Sequence, residues 1–176
     1  NMLYPDAKSF EGMVLWAASL RGPRAVPGEY KVRLSIGNQT QEQPLRILKD
    51  PRSEVSQADI QAQFDFVTEV QKKVSEAHEV IIEIRDIRKQ LNAYQERFKG
   101  KDEWKALADK AKAIDKAMTE VEEALYQTKN RSGQDPLNFP IRLTNKLAGV
   151  ASLSSMGDYP PTAQSIAVKN ELTPLV

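Results

Sequence analysis

The apolar residues of this 176-residue chain follow one period near its start and another after residue 56. Between residues 30 and 36 every second residue is apolar, which predicts a strand with one buried face. After residue 56 the apolar residues recur at steps of three and four, which predicts helices. The pattern therefore divides the chain into a β piece, residues 1–52, and a helical part, residues 53–176.

Turn and breaker residues shape the predicted β piece. Pro27-Gly28 is a turn signal before the first strand, and Gly37-Asn38 suits the two-residue loop of a β-hairpin. The chain returns over residues 39–48, where Pro44 cannot donate to a ladder, so we predict an edge strand. A third short strand is predicted at residues 13–16. Three strands bury little surface by themselves, so we expect the piece either to be truncated or to lean on the helices.

Two long helices follow. The first is predicted to begin after the N-cap Ser56 and to end at Gly100. Its apolar stripe consists of Ile60, Phe64, Val67, Val70, Val74, Ala77, Ile81, Ile84, Ile87, Leu91, Tyr94 and Phe98. The second is predicted to start at a capping residue, Asp102, and its apolar residues form a strict heptad seam: Trp104, Leu107, Ala111, Ile114, Met118, Val121 and Leu125. The short connection makes the two helices antiparallel neighbours.

Residues 130–136 break the helical pattern. A third helix is predicted from about residue 138 or 140 to Met156, and a fourth from the cap Thr162, with Pro174 near its end. The predicted fold class is α+β and mostly α. It comprises an antiparallel three- to four-helix bundle with two very long helices, preceded by a small partial β-sandwich of about three strands.

Composition narrows the possible partners. The 25 basic and 24 acidic residues give a net charge of +1, which provides no basic face for nucleic acid. No run of 18 apolar residues occurs, so we expect no membrane insertion. The chain contains no cysteine, which excludes disulfides, thiolate metal sites and cysteine catalysis.

Candidate chemistry is sparse along the chain. His78 is the single histidine, and residue 75 is Ser, so the Glu-x-x-His pattern of di-iron bundles is absent. We predict that His78 packs or makes an interhelical hydrogen bond. The helical carboxylates stand among lysines, as on a solvated face. We therefore predict no catalytic, cofactor-binding or metal-binding residue, no cofactor, and no enzymatic activity.

Several strings of the sequence occur together. They are WAASLRGPRAVPGEYKVRL at residues 16–34, DPR at 50–52 with QAQFD at 61–65, QDPLNFPIRL at 134–143 with NKL at 145–147, and PTAQ at 161–164. Together they resemble the C-terminal region of large bacterial sortilin-like (BNR) β-propeller proteins, many from Bacteroidetes and often labelled glycosyl hydrolases. The resemblance spans nearly the whole chain.

The resemblance implies a particular domain organisation. Residues 1–52 would be the end of an immunoglobulin- or fibronectin-like sandwich placed after a propeller, and residues 53–176 an antiparallel helical bundle. The first strands of the sandwich would then be missing, and the propeller, to which the catalytic label belongs, would lie upstream. The resemblance also implies an exported parent protein that is periplasmic, cell-surface or secreted.

The predicted function is that of a non-catalytic C-terminal accessory or interaction module of a larger exported β-propeller protein, acting in domain positioning or assembly. Its upstream propeller would be its partner. The alternative is a carbohydrate- or protein-binding module of a glycosyl hydrolase. The long first helix raises a further hypothesis. Residues 60–74 need cover from the last two helices, from the β piece or from a second copy, so a homodimer through this helix is considered.

The candidate interaction surface has two parts. On the β piece, Trp16, Arg21 and Arg24 are predicted to grip a sugar or a protein, with burial of Trp16 in a core as the alternative. In the loop at residues 130–140, Asp135, Asn138 and Phe139 are predicted either to dock the propeller or to form a rigid connector.

Overall fold

The computed structural model describes residues 2–176, apart from the side chains of Glu103, Trp104 and Ala106. An irregular segment, residues 2–25, precedes a hairpin of two strands, β1 (Gly28–Ile36) and β2 (Gln39–Ile47). The helices are α1 (Gln57–Arg97), α2 (Asp102–Leu125), α3 (Leu143–Ser154) and α4 (Ala163–Leu172), with 3₁₀ turns at Asp135–Leu137 and Thr173–Leu175. The described chain is therefore α+β and mostly helical, with a two-stranded antiparallel sheet and four helices.

The helix ends follow the capping signals of the sequence. The Ser56 hydroxyl accepts a hydrogen bond from the Asp59 amide at 3.1 Å and starts α1. Gly100 lies in the left-handed region, at φ 81°, between α1 and α2. Thr162 caps α4 by accepting from the Ser165 amide. The predicted cap Asp102 is instead the first residue of α2, after Lys101 at the cap position.

The hairpin has the predicted register, with Ile36 opposite Gln39 next to the two-residue loop. The third strand predicted at residues 13–16 is not a strand in the structure. The amides of Val14 and Trp16 donate to side chains of the helical part instead of to a neighbouring strand. Because these two amides already have acceptors, they are not available for hydrogen bonds to a neighbouring strand.

The main core lies along the first half of α1. Its buried apolar residues are Phe66, Val67, Val70 and Val74 of α1, Leu147, Ala148 and Ala151 of α3, Leu172 of α4, and Ala7 of the irregular segment. Residues 60–74, for which we considered cover from several sources, are thus packed against the last two helices and the start of the same chain. A second cluster joins Ala77 and Ile81 to Leu125 and Tyr126 at the end of α2.

The far half of α1 pairs with α2 through an ionic network. The carboxylate of Glu122, whose side chain is 5% exposed, accepts from Arg85 Nε at 2.7 Å and from Arg88 Nη1 at 2.6 Å. Arg88 also donates to Asp115 at 2.7 Å and to Thr119 at 3.0 Å. A buried carboxylate needs such pairing, so this network fixes the register of the two helices.

The heptad seam predicted for α2 is divided in the structure. Ala111 and Leu125 are buried and Met118 is half-buried, whereas Leu107, Ile114 and Val121 are each about half exposed. The side chain of Trp104, also assigned to the seam, lies outside the described residues. The two alternating sets of heptad positions point in different directions from the helix axis. Helix α1 covers the set that contains Ala111 and Leu125 and leaves the set that contains Ile114 exposed.

The irregular segment, residues 2–25, folds back on itself, and we call it the clasp. Its arms exchange backbone hydrogen bonds: the Tyr4 amide with the Pro23 carbonyl at 2.9 Å, the Ala7 amide with the Leu20 carbonyl at 2.8 Å, and the Ala25 amide with the Met2 carbonyl at 2.8 Å. The arms approach closely at Gly22, where an added Cβ would lie 1.9 Å from the Tyr4 carbonyl oxygen. A side chain does not fit at this position without moving backbone.

Replacing Gly22 by Ala is therefore expected to lower the free energy of unfolding by about 2–3 kcal/mol. The matched control is Gly149→Ala in α3, where an added Cβ meets nothing within 4 Å. That variant is expected to gain up to about 1 kcal/mol, because Ala is the better helix former. Urea unfolding followed by circular dichroism measures both, and a wild-type midpoint for Gly22→Ala would contradict the close crossing of the arms.

Candidate functional site

Polar side chains of the helices bind the backbone of the clasp. Asn145 of α3 accepts from the Trp16 amide at 2.7 Å and donates to the Trp16 carbonyl at 2.9 Å. The Tyr126 hydroxyl accepts from the Val14 amide at 2.8 Å. Gln71 of α1 donates to the Arg21 carbonyl. These buried side chains satisfy an extended backbone that has no strand partner, which holds the clasp across α1 and α3.

His78 is part of the same attachment. Its side chain is fully buried, its Nδ1–H donates to the Lys8 carbonyl at 2.5 Å, and its ring packs edge-on against Phe10. Nε2 is buried without a hydrogen-bond partner among the described residues. Burial lowers the pKa of His78 below its ordinary value of 6.5, although the hydrogen bond to Lys8 acts in the opposite direction. The ring is therefore neutral at pH 7 and binds the clasp rather than a neighbouring helix.

A cleft of about 800 Å³ lies where the clasp, the base of the hairpin, the first turns of α1 and the end of α3 meet. The apolar part of its lining consists of Leu3, Pro23, Ala25, Pro27, Ile47, Leu48, Ile60, Phe64 and Ala151. Its charged lining consists of Arg21, Arg24, Lys49, Asp50 and Asp158. An apolar concavity with a few charged groups is the usual form of a binding site.

The cleft has more positively than negatively charged side chains in its lining. Asp158 lies 3.7 Å from Arg24, and Asp50 is paired with Arg52 at 2.8 Å. The guanidinium of Arg21 makes no hydrogen bond or ion pair with any described residue. The ammonium of Lys49 donates to a carbonyl oxygen, that of Val55, at 2.5 Å. The arrangement therefore favours an anionic group in the cleft.

Two of the six residues predicted for an interaction surface lie in the cleft. Arg21 and Arg24 both line the cleft. Trp16 lies outside it, is 37% exposed, and is held at its backbone by Asn145. Neither a core position nor the cleft therefore holds the indole.

The loop at residues 130–140 also lies away from the cleft. Asp135 accepts from the amides of Arg131 at 2.6 Å and Ser132 at 2.8 Å, and these bonds, that from Arg131 first, lower the pKa of its carboxyl. Asn138 is exposed, and Phe139 is half-buried beneath the Lys129 ammonium. Asp135 thus closes its own turn, which supports the rigid-connector interpretation of this loop.

Sequence reasoning missed Gln71 and Asn145, which bind the clasp, and for His78 it predicted packing or an interhelical bond instead of the bond to the clasp. All three residues lie on or beside apolar helical stripes, where a polar residue signals a buried hydrogen bond. That signal indicates burial but does not identify the partner, which is backbone far away in the chain.

Among the described residues, no group of three or more His, Asp or Glu side chains is placed to hold a metal ion. The helices of the described chain are all too short or too polar to cross a membrane. No family model, no curated protein and no solved structure matches this chain.

The single histidine gives a direct test of the clasp attachment. The unfolded chain binds a proton on His78 more readily than the folded chain, so the contribution of His78 to the free energy of unfolding is greatest above pH 6.5 and falls as the pH drops below that value. NMR of the one imidazole signal should show a titration midpoint below 6.5. A midpoint at or above 6.5 would contradict a pKa set mainly by burial of the ring beneath the clasp.

Proposed function

We propose that this chain is a non-catalytic accessory module of a larger exported β-propeller protein and that it positions or assembles neighbouring domains. The observation that carries the proposal is the hairpin of β1 and β2. On one face of the hairpin the charged side chains pair with each other, whereas on the other face the apolar side chains are exposed. The resemblance described above supports the identity of the parent, its immunoglobulin-like sandwich and its export.

The two faces of the hairpin differ in chemistry. On one face the charged side chains pair with each other: Arg33 with Glu42 at 2.6 Å, and Arg46 with Glu29 at 3.2 Å. On the other face, called the apolar face, Val32, Leu34 and Ile36 of β1 are 51–70% exposed, and the uncharged Gln43, Gln41 and Gln39 of β2 lie opposite them. Because the polar face is already paired and suited to water, the apolar face is the one that a neighbouring sheet would cover.

The two edges of the hairpin also differ. Hydrogen-bonded and non-hydrogen-bonded pairs alternate from the closing pair Ile36–Gln39, so the fifth pair beyond it, Lys31 with Pro44, is non-hydrogen-bonded. The backbone nitrogen of Pro44 therefore points to the outer edge of β2, away from β1. Because proline has no N–H to donate, a further strand pairs less well along that edge. The outer edge of β1 keeps its donors, and in the described chain no strand pairs with it. The edge of β1 is thus the one open to an added strand.

These features fit a hairpin that completes a sandwich whose other strands come from the upstream region. The clasp is bound to α1 and α3 and leads directly into β1 at Gly28. The sandwich would therefore be held in a fixed position relative to the helices. The upstream region, with its propeller, is accordingly the proposed partner.

Leu34→Lys is expected to weaken binding of this chain to the upstream region by about tenfold or more, because it places a charge on the covered face. The matched control is Ser35→Lys on the polar face, which should bind as the wild type does. Calorimetry with the separately produced upstream region gives both affinities. Equal affinities for Leu34→Lys and Ser35→Lys would count against the role of the apolar face.

The alternative function is a carbohydrate- or protein-binding module, and the cleft is the observation that favours it. Arg21 supplies an unpaired guanidinium beside apolar walls, which suits an acidic sugar or a carboxylate-bearing peptide.

If the cleft binds such a ligand, acidic oligosaccharides should shift amide NMR signals of the cleft, and Arg21→Gln should abolish the shifts. Arg142→Gln is the control, since Arg142 is exposed and outside the cleft. Shifts that persist in Arg21→Gln would show that binding does not use the unpaired guanidinium.

A further inference from the structure

Exposed apolar residues form two rows on the far half of α1 and on α2. Val80, Ile87 and Tyr94 follow at seven-residue spacing on α1, and Leu107, Ile114 and Val121 do so on α2. All six side chains are 36–52% exposed. We call these six residues the apolar strip.

The two rows lie on the same face of the helix pair. On α1, Ile87 immediately precedes Arg88, which contacts α2; on α2, Val121 immediately precedes Glu122, which contacts α1. One residue is a rotation of about 100° around a helix, so both rows are turned in the same sense from the shared interface. In an antiparallel pair, an equal rotation in the same sense leads to the same face.

The other helices do not reach this face in the described structure. Helix α4 lies against α1 one turn or more before the strip, where Lys169 binds Glu69 at 2.8 Å. The terminal Val176 packs on the cluster that contains Ala77 and Ile81. The strip begins at Val80, which is 42% exposed beside this cover, and exposed apolar rows of this kind are typical of association surfaces.

We propose that a second copy of this chain covers the strip, face to face and antiparallel, so that the two helix pairs form a four-helix bundle. The spacing suits this arrangement, because reversal about Ile114 places Leu107 of one copy opposite Val121 of the other. The interface uses neither the hairpin nor the cleft, so it goes beyond the proposed function.

Charge supports the antiparallel direction. The tip of the helix pair, residues 96–112, carries six basic and four acidic residues. The stretches nearer the core, residues 76–95 and 113–125, together carry eight acidic and four basic residues. An antiparallel pairing places each basic tip over the acidic stretch of the other copy, whereas a parallel pairing would oppose like charges.

Light scattering behind a sizing column tests the association. The wild type is expected to be a dimer, and Ile114→Glu a monomer with unchanged circular dichroism. The control Leu153→Glu changes an exposed apolar residue of α3, outside the strip, and should remain a dimer. A monomeric wild type, or a dimer that survives Ile114→Glu, overturns the proposal and leaves the strip to a different partner.

Cysteine cross-linking tests the orientation without a disruptive charge. The chain has no cysteine, so a single introduced residue reports alone. Ile114→Cys lies near the proposed two-fold axis and should form an intermolecular disulfide on mild oxidation. Lys99→Cys, at the tip, should not, because the tips lie at opposite ends. Cross-linking at 99 without cross-linking at 114 contradicts the antiparallel arrangement.

Discussion

The fold depends on buried polar side chains of the helices that satisfy the backbone of the clasp. An extended segment with few hydrogen bonds of its own is costly to bury unless each amide and carbonyl finds a partner. Asn145, Gln71 and His78 supply such partners from two helices. The clasp in turn places the hairpin base against the start of α1, and this contact creates the cleft.

This attachment divides the molecule into two parts. In the held part, the clasp, α3 and α4 pack on the first half of α1; in the free part, the second half of α1 pairs with α2. Near the core, α1 is covered by the clasp, α3 and α4. Farther along, the described contacts join α1 to α2 through Arg85, Arg88 and Glu122. The uncovered surfaces follow from that division: the hairpin extends from one side of the held part, and the apolar strip lies on the free part. Both are surfaces that a binding module would present.

Local signals predicted local structure well. The alternation at residues 30–36, the cap Ser56 and the turn glycine Gly100 each depend on neighbours in sequence, and the structure confirms the hairpin and the helix ends they predict. The buried face predicted for the first strand is wrong, because Val32, Leu34 and Ile36 are 51–70% exposed. The start predicted for the third helix, at about residue 138 or 140, is wrong, and α3 begins at Leu143. The 3₁₀ turn Asp135–Leu137 and Pro140 occupy the stretch before it. Its true start depends on turn geometry that periodicity does not encode.

Long-range pairing was beyond the reach of sequence patterns. Residues 13–16 have strand-like composition, but the amides of Val14 and Trp16 bind Tyr126 and Asn145, which are more than 100 positions away. Likewise, Trp16, Arg21 and Arg24 were predicted to form one interaction surface, but only the two arginines line the cleft. Periodicity identifies the apolar face of an element, but it does not show whether this chain buries that face. Leu34 of β1 and Ile114 of α2, for example, are 60% and 49% exposed.

Hydrogen exchange at the clasp amides tests this account most directly. The amides of Val14, Trp16 and Ser19 donate to side chains of the helical part, Tyr126, Asn145 and Ser152 respectively. If the clasp is held as described, these amides exchange as slowly as the core of α1, and Asn145→Ala accelerates exchange at Trp16. Fast exchange at all three amides in the wild type, with a protected α1, would show that the clasp is a loose tail and would contradict the account.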